Sequence, residues 1–435
     1  MEILSGSASG MDINVTVASK SSRIPHWLAV HCEAGSSPSC DAQRVDAVTV
    51  RGSRNVFIRY EEMDGSWINE DNEVARVRVI KGDVRDKKDI IIHLGMINEL
   101  LTLDITALKK TIEVVLLQKN QLQRVINQGS GDVVVEDNIL STMGPTLSIA
   151  TLGSGDSFAT STETIRVDTV TLSSRGSGRL QTTFSEVRVS KFRAEYYSSG
   201  DMALFINSES DVDEFAVIAE GSGDACLSWD SPISVNQFQV EQIGSGDVSV
   251  GPRGACQSAK LSMQGPGELD VGGVQCDMVD VDLMSSGKVT VQATNYLDVE
   301  AYGNGQVKFT GATPHAIASR GNRQLFPTLV TDSYVPVNCK RHKVPAIKAK
   351  YAAVSTGVLA SAELDSAESS SSVAAHSHTV GIYWNGKNQD KDNILPLVAI
   401  VFLVALILRW LNNSRRRARE EEQQPLLGAQ RRVYV

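Results

Sequence analysis

Residues 215–250, FAVIAEGSGDACLSWDSPISVNQFQVEQIGSGDVSV, hold the pattern that decides the fold. Phe215 and Val217 precede Gly223, Asp224, Ala225 and Leu227; Phe238 and Val240 precede Gly246, Asp247, Val248 and Val250. On both sides of each GSGD, apolar and polar residues alternate with period two, the signature of a half-buried strand. The glycine between the runs marks a sharp bend. Each unit therefore reads as strand, glycine bend, strand and loop.

Outward from this stretch the unit recurs at spacings of 18–24 residues, on Gly131, Gly155, Gly178, Gly200, Gly223, Gly246, Gly267, Gly287 and Gly305. Six residues before each glycine stand Val125, Ile149, Leu172, Ala194, Val217, Val240, Leu261, Val281 and Val299, all apolar. The positions two and four residues after it are each apolar in eight of the nine copies, which excludes coincidence. The residue between them is usually polar, as at Gln181, Ser249, Asp270, Thr290 and Lys308. One such unit cannot bury its apolar face alone, so the copies must stack. The predicted fold is all-β: a single-stranded parallel β-helix of about 22-residue coils, rising roughly 4.8 Å per coil. A propeller blade needs about twice as many residues. The glycines would line one edge, where a Cβ would clash or force an unfavourable φ. Upstream residues 1–114 read as a degenerate continuation of the stack, with Val48, Val50 and Gly52, or Gly10, Ile13, Val15 and Val17, as traces of the unit.

These GSGD runs with flanking strands end on Gly305-Gln306-Val307-Lys308-Phe309-Thr310-Gly311-Ala312-Thr313-Pro314. Over about 115–325 the sequence resembles the head GIN domain family of auto-transporter adhesins. That resemblance implies a right-handed β-helix-like fold displayed at a cell surface, and it names no ligand. The membrane segment and tail described next depart from the bacterial pattern of that family.

Residues 394–408, ILPLVAIVFLVALIL, are apolar or proline, and Trp410 and Leu411 extend the run past Arg409. With Arg409 snorkelling, 394–411 is long enough for a transmembrane helix. Arg415, Arg416, Arg417 and Arg419 follow it, so the positive-inside rule puts the tail 412–435 in the cytoplasm and residues 1–393 in the lumen or outside the cell. The start, MEILSGSASG, has neither the basic nor the apolar region of a signal peptide. Type I topology then requires a start upstream of Met1; the alternative is a tail anchor with the β domain in the cytosol. In the tail, Glu422, Leu426 and Leu427 match the acidic dileucine pattern read by clathrin adaptors, and Val433-Tyr434-Val435 is a candidate for strand addition to a PDZ groove. Residues 326–393 read as a cap followed by a flexible Ala/Ser-rich stalk that begins with the basic patch Lys340-Arg341-His342-Lys343. Asn14-Val15-Thr16 is the lumenal glycosylation sequon.

The residues after the glycines include Asp132, Asp156, Asp201, Asp224 and Asp247, which stacking would place in a ladder. Asp201, Asp224 and Asp247 in a row would bind a cation or ligand, or each would bond the backbone of its own glycine turn. The six cysteines form no CxxC, and Cys32 and Cys40 are close enough to close a disulfide loop or remain free thiols. The seven histidines lie outside the nine regular coils, no hydrolase or metalloprotease motif is present, and no cofactor or metal is expected. A net charge of −9 argues against nucleic acid. The sequence therefore reads as a non-enzymatic single-pass protein of the plasma membrane or endolysosomes. It would display an adhesion, binding or scaffold surface for an unknown protein or glycan. A β-helix enzyme acting on surface polysaccharide is the alternative, which an acid cluster in a groove outside the Asp column would favour.

Overall fold

The computed structural model describes residues 27–31, 44–61, 73–81, 90–97, 100–321, 327–330 and 339–347. Asn14, Cys32, Cys40, the segment 394–411 and the tail with Glu422, Leu426 and Leu427 lie outside them. The described residues contain strands and no helix. They build a β-solenoid of about 23-residue coils. Each regular coil carries a long strand before the glycine bend and a short strand after it, for example Ser210–Gly221 and Ala225–Trp229. Each pairs in parallel with its counterpart one coil on, Ile233–Gly244 and Val248–Gly251.

The register aligns the apolar positions into columns. Val125, Ile149, Leu172, Ala194, Val217, Val240, Leu261, Val281 and Val299 face one another from coil to coil. A slip of one residue would turn every one of them to solvent, so burial fixes the register. Phe192, Phe215 and Phe238 form a second interior column: the first pair is stacked at 4.8 Å, and Trp229 meets Phe215 edge-on at 6.2 Å.

Two features depart from a purely parallel stack in chain order. The coil Ala47–Gly52 with Val56–Tyr60 is inserted between the coil Leu100–Ala107 with Thr111–Leu116 and the coil Arg124–Asn127 with Val133–Val135. The chain thus lays its second coil first, then returns to build the terminal one. That terminal coil is closed by antiparallel strands: Ile90–Ile97 pairs with Leu100–Ala107, while Glu73–Lys81 pairs with Thr111–Leu116 and with Trp27–His31. An open parallel end would leave a row of unpaired N–H and C=O groups, and these strands cover it. Glu113, buried at that end, is held between Arg59 and Arg78. At the opposite end Ala316–Gly321 and Thr328–Leu329 continue the parallel stack.

Candidate ligand-binding surface

The solenoid offers three surfaces: the glycine edge, the outside of the short strands and the outside of the long strands. At the edge the glycines stack on one another. A Cβ at Gly155 would land on the carbonyl oxygen of Gly131, and one at Gly223 on that of Gly200 and on the Tyr196 hydroxyl. None of the nine aligned glycines has a positive φ among those recorded, so close approach, and not backbone twist, requires glycine here. From inside, Asn127 donates to the carbonyls of Gly131, Gly155 and Asp156 at 3.1–3.3 Å. Tyr196 and Gln242 do the same for Gly200 and Gly246. Burial pushes the Tyr196 phenol up to about 12, so it stays a donor.

The acid ladder is used by the backbone. Asp156 N–H donates to Asp132 Oδ1 (3.2 Å), Arg179 N–H to Asp156 Oδ1 (2.9 Å), Asp224 N–H to Asp201 Oδ1 (3.4 Å), Asp247 N–H to Asp224 Oδ1 (3.0 Å) and Glu268 N–H to Asp247 Oδ1 (2.8 Å). The carboxylates therefore serve the next coil and not their own turn, because stacking brings a peptide N–H that the strand ladder does not reach within one rung. Asn55 supplies the same oxygen to Asp132 N–H on the coil below. Asp201, Asp224 and Asp247 thus each have one oxygen committed or the N–H beside them capped. Among the described residues no three His, Cys, Asp or Glu side chains come together as metal ligands.

The short-strand side is covered from the coil of Phe57 to that of Cys226. Residues 339–347, expected to start a flexible stalk, lie along it as a strap. Cys339 is disulfide-bonded to Cys226 with the Cα atoms 5.6 Å apart. Arg341 sits 4.1 Å over the Phe205 ring. His342 N–H donates to Gln181 Oε1 (2.7 Å) while its carbonyl accepts from Gln181 Nε2 (3.2 Å). Ile347 packs on Phe57, Val134 and Phe158. Phe57, Val134, Phe158, Gln181, Ala203 and Cys226 form one outward column in register. This is the column that is polar further along the solenoid; its apolar members mark the track of the strap. His342, outside the regular coils in sequence, thus lies against them from the strap. A second disulfide, Cys256–Cys276, joins two residues directly opposite on adjacent coils.

Among the described residues nothing lies over the long-strand side around Met278 and Tyr296. On it Glu214, Gln237, Ser258, Met278 and Tyr296 form one row in register, and Gln239, Lys260, Asp280 and Asp298 a second, two residues further along the strands. Together they line a groove of about 400 Å³, in the size range of small-ligand sites. Met278 and Tyr296 are 46% and 39% exposed, a large apolar presentation for a sheet surface that is otherwise polar. Lys260 is the one basic side chain among the described lining residues. Asp298 is ion-paired with Arg320 (2.5 Å). Beside the groove, burial, Glu300 and Asp280 push the Asp282 carboxyl above the usual carboxylate range, with Lys260 opposing.

Residues 194–313 match the head GIN domain family. The full description of that family is "Putative auto-transporter adhesin, head GIN domain". Two solved structures are similar to this chain, both from Parabacteroides distasonis ATCC 8503. A "Putative lipid binding protein" is 16% identical, with a TM-score of 0.32 over 66% of this chain and 93% of its own. A "putative adhesin" is 15% identical, with a TM-score of 0.31 over 70% of this chain and 95% of its own. No curated protein matches the chain.

The edge glycines and the acid ladder were legible in the sequence; the groove and the strap were not. The long-strand outward rows mix residue types without a motif. The strap had one trace, the run of apolar residues at outward positions Val134, Phe158 and Ala203.

Proposed function

We propose that the chain is a single-pass membrane protein that presents the long-strand face of its solenoid as an adhesion or binding surface on the lumenal or extracellular side. The observation that carries this reading is the division of the surfaces: backbone bonds occupy the acid edge, the strap covers the short strands as far as Cys226, and no described residue covers the groove with Met278 and Tyr296. The description of the head GIN family as adhesin heads supports a binding role. Two disulfides suit an oxidising compartment, which the lumenal placement of residues 1–393 provides. The apolar segment 394–411 is the anchor, and Glu422, Leu426 and Leu427 route the protein through a clathrin adaptor to endosomes or lysosomes.

Topology and binding are tested in the same cells. The full chain, tagged at both ends, is expressed and scored for a glycosidase shift at Asn14, then for adhesion of the cells to glycan- or protein-coated surfaces. A shift, a cytosolic C-terminal tag and adhesion lost in the Met278→Lys/Tyr296→Lys double variant are expected. Two cytosolic tags with no shift would sink the membrane-display reading, and adhesion unchanged in the variant would sink the assignment of the face.

A second reading has one observation in its favour. Glu214, Asp280 and Asp298 gather in the groove, outside the Asp column, as an enzyme cleaving surface polysaccharide would require. Release of reducing ends from a polysaccharide, abolished by Asp280→Asn, would establish it in place of simple binding.

A further inference from the structure

The contact between His342 and the acid edge is unusual in its chemistry. Arg179 reaches its guanidinium to Asp156 on one side and places Nη1 2.6 Å from Nδ1 of His342 on the other. A guanidinium only donates, so His342 Nδ1 accepts, and the ring is neutral with its proton on Nε2. Nε2, which carries that proton, lies 4.0 Å from Asp201 Oδ2. A protonated ring has no acceptor left: it would lose the bond from Arg179 and set a second cation against the guanidinium.

We infer that the strap 339–347 is an acid-released clasp, in which protonation of His342 breaks its bond to Arg179 and frees the strap from the short strands while the Cys226–Cys339 disulfide keeps it tethered. Release uncovers Phe57, Val134, Phe158 and the Phe205 ring. The charged groups around the ring decide the sign. Arg179 from the solenoid and Lys340 from the strap disfavour the imidazolium, as does burial; Asp201 and Asp156 favour it. Arg341 and Lys343 add positive charge to the same segment. Asp156 is already engaged by Arg179 and Asp201 is half exposed at the longer distance, so burial and Arg179 prevail and the ring is harder to protonate in the closed state than its ordinary 6.5. Closure is then fully present above pH 6.5 and weakens as pH falls below it. With protonation confined to the open state, the open population at pH 5.0 rises by up to about thirtyfold. The inference is independent of which ligand the long-strand face takes.

Hydrogen–deuterium exchange on the full chain tests it directly, because the amide of His342 is itself bonded to Gln181. Rates at pH 7.5 and 5.0 are corrected for intrinsic exchange. Peptides covering 340–347 should exchange at least threefold faster at pH 5.0, with the buried strand 215–221 unchanged. His342→Gln, uncharged throughout, should hold one rate at both pH values, and Arg179→Gln, which removes the facing cation, should blunt the response. Wild-type exchange that does not change with pH overturns the clasp, and so does an acid response of the same size in His342→Gln.

Discussion

Gly223→Ala puts one methyl group where the stack has no room. The new Cβ would collide with the Gly200 carbonyl oxygen and with the Tyr196 hydroxyl, which is bonded to that same carbonyl. Tyr196 is 1% exposed and cannot swing aside. The carbonyl belongs to a coil held on both sides by parallel strands about 4.8 Å apart, so it can retreat only by prising two coils apart locally. Overpacking of this kind costs about 1–3 kcal/mol. Loss of the Tyr196–Gly200 hydrogen bond adds about 1 kcal/mol. Since φ at Gly223 is not among the positive values, no backbone strain enters, and the expected loss is about 2–4 kcal/mol, all of it steric and polar.

Thermal and denaturant unfolding of the full chain, followed by far-UV circular dichroism, measures this. For a domain of this size each kcal/mol shifts Tm by about 2–4 °C, so a fall of about 4–16 °C is expected. The informative companion is Tyr196→Phe/Gly223→Ala. Removing the hydroxyl relieves one of the two collisions, so the double variant should be more stable than the sum of the single losses predicts. Gly95→Ala is the control, because nothing lies within 4 Å of its added Cβ and its φ is ordinary; it should leave stability unchanged or raise it by about 0.4–1 kcal/mol. A loss below about 1 kcal/mol in Gly223→Ala, or strict additivity with Tyr196→Phe, would refute close approach as the reason for the glycine column.

Phe215→Ala removes the centre of the Phe192–Phe215–Phe238 column and the partner of Trp229; a loss of about 3–5 kcal/mol in denaturant unfolding, with a change in tryptophan fluorescence, is expected. Cys339→Ser should raise trypsin cleavage at Arg341 and Lys343 while the solenoid keeps its circular dichroism, because the disulfide ties the strap to a coil that its own strands already hold. Asp282→Asn should raise the unfolding midpoint at pH 7. The raised carboxyl costs the folded state when ionised, so the gain grows as pH rises through and above 3.8 and vanishes where the wild-type group is protonated; equal gains at pH 3 and 7 would count against it. Asp224→Asn should keep most of the stability that Asp224→Ala loses, since either Asp or Asn offers an oxygen to the N–H of Asp247, and neither variant should depend on added calcium.

Which parts of the molecule were legible follows from how local their causes are. The columns six residues before and two and four after each glycine were legible because a parallel stack buries the same position of every coil, and burial writes itself into residue type one position at a time. The coil Ala47–Gly52 with Val56–Tyr60 was recognisable at Val48, Val50 and Gly52, but its place between two later coils was not, since pairing partners leave no period in the chain. The acid ladder shows the same limit at shorter range. An Asp after a glycine suggests an Asx-type bond within its own turn; stacking offers a better donor one coil away, and that donor is invisible until the coils are placed. For the strap, a basic segment beside Ala/Ser-rich sequence has every compositional mark of a linker, and only the apolar exceptions along the outward column point to something lying on them.

A repeat can hold a selective site only where it departs from itself, because identical coils present identical surfaces. Beyond its antiparallel end and the apolar track of the strap, this solenoid departs from itself at the contracted coils. From Asp224 to Asp247 the bends are 23 residues apart, from Asp247 to Glu268 they are 21, and from Glu268 to Lys288 they are 20. There the loops between short and long strands vanish, so that Glu268–Leu283 and Lys288–Ala301 each run on as one strand through what was a corner. The lost residues are absorbed by register shifts between Asp270 and Gln275 and between Cys276 and Met278, with Cys256–Cys276 fastening the coils beside them. The acid ladder also ends there: Glu268 has one methylene more than its predecessors and pairs with Lys288 instead of capping the next N–H. Met278, Asp280, Tyr296 and Asp298 belong to these contracted coils, while the regular coils supply Glu214, Gln237 and Gln239 on the other side of the groove. The groove thus lies where regular coils give way to contracted ones, and its contracted side is where a change of ligand could evolve without disturbing the regular stack that carries it.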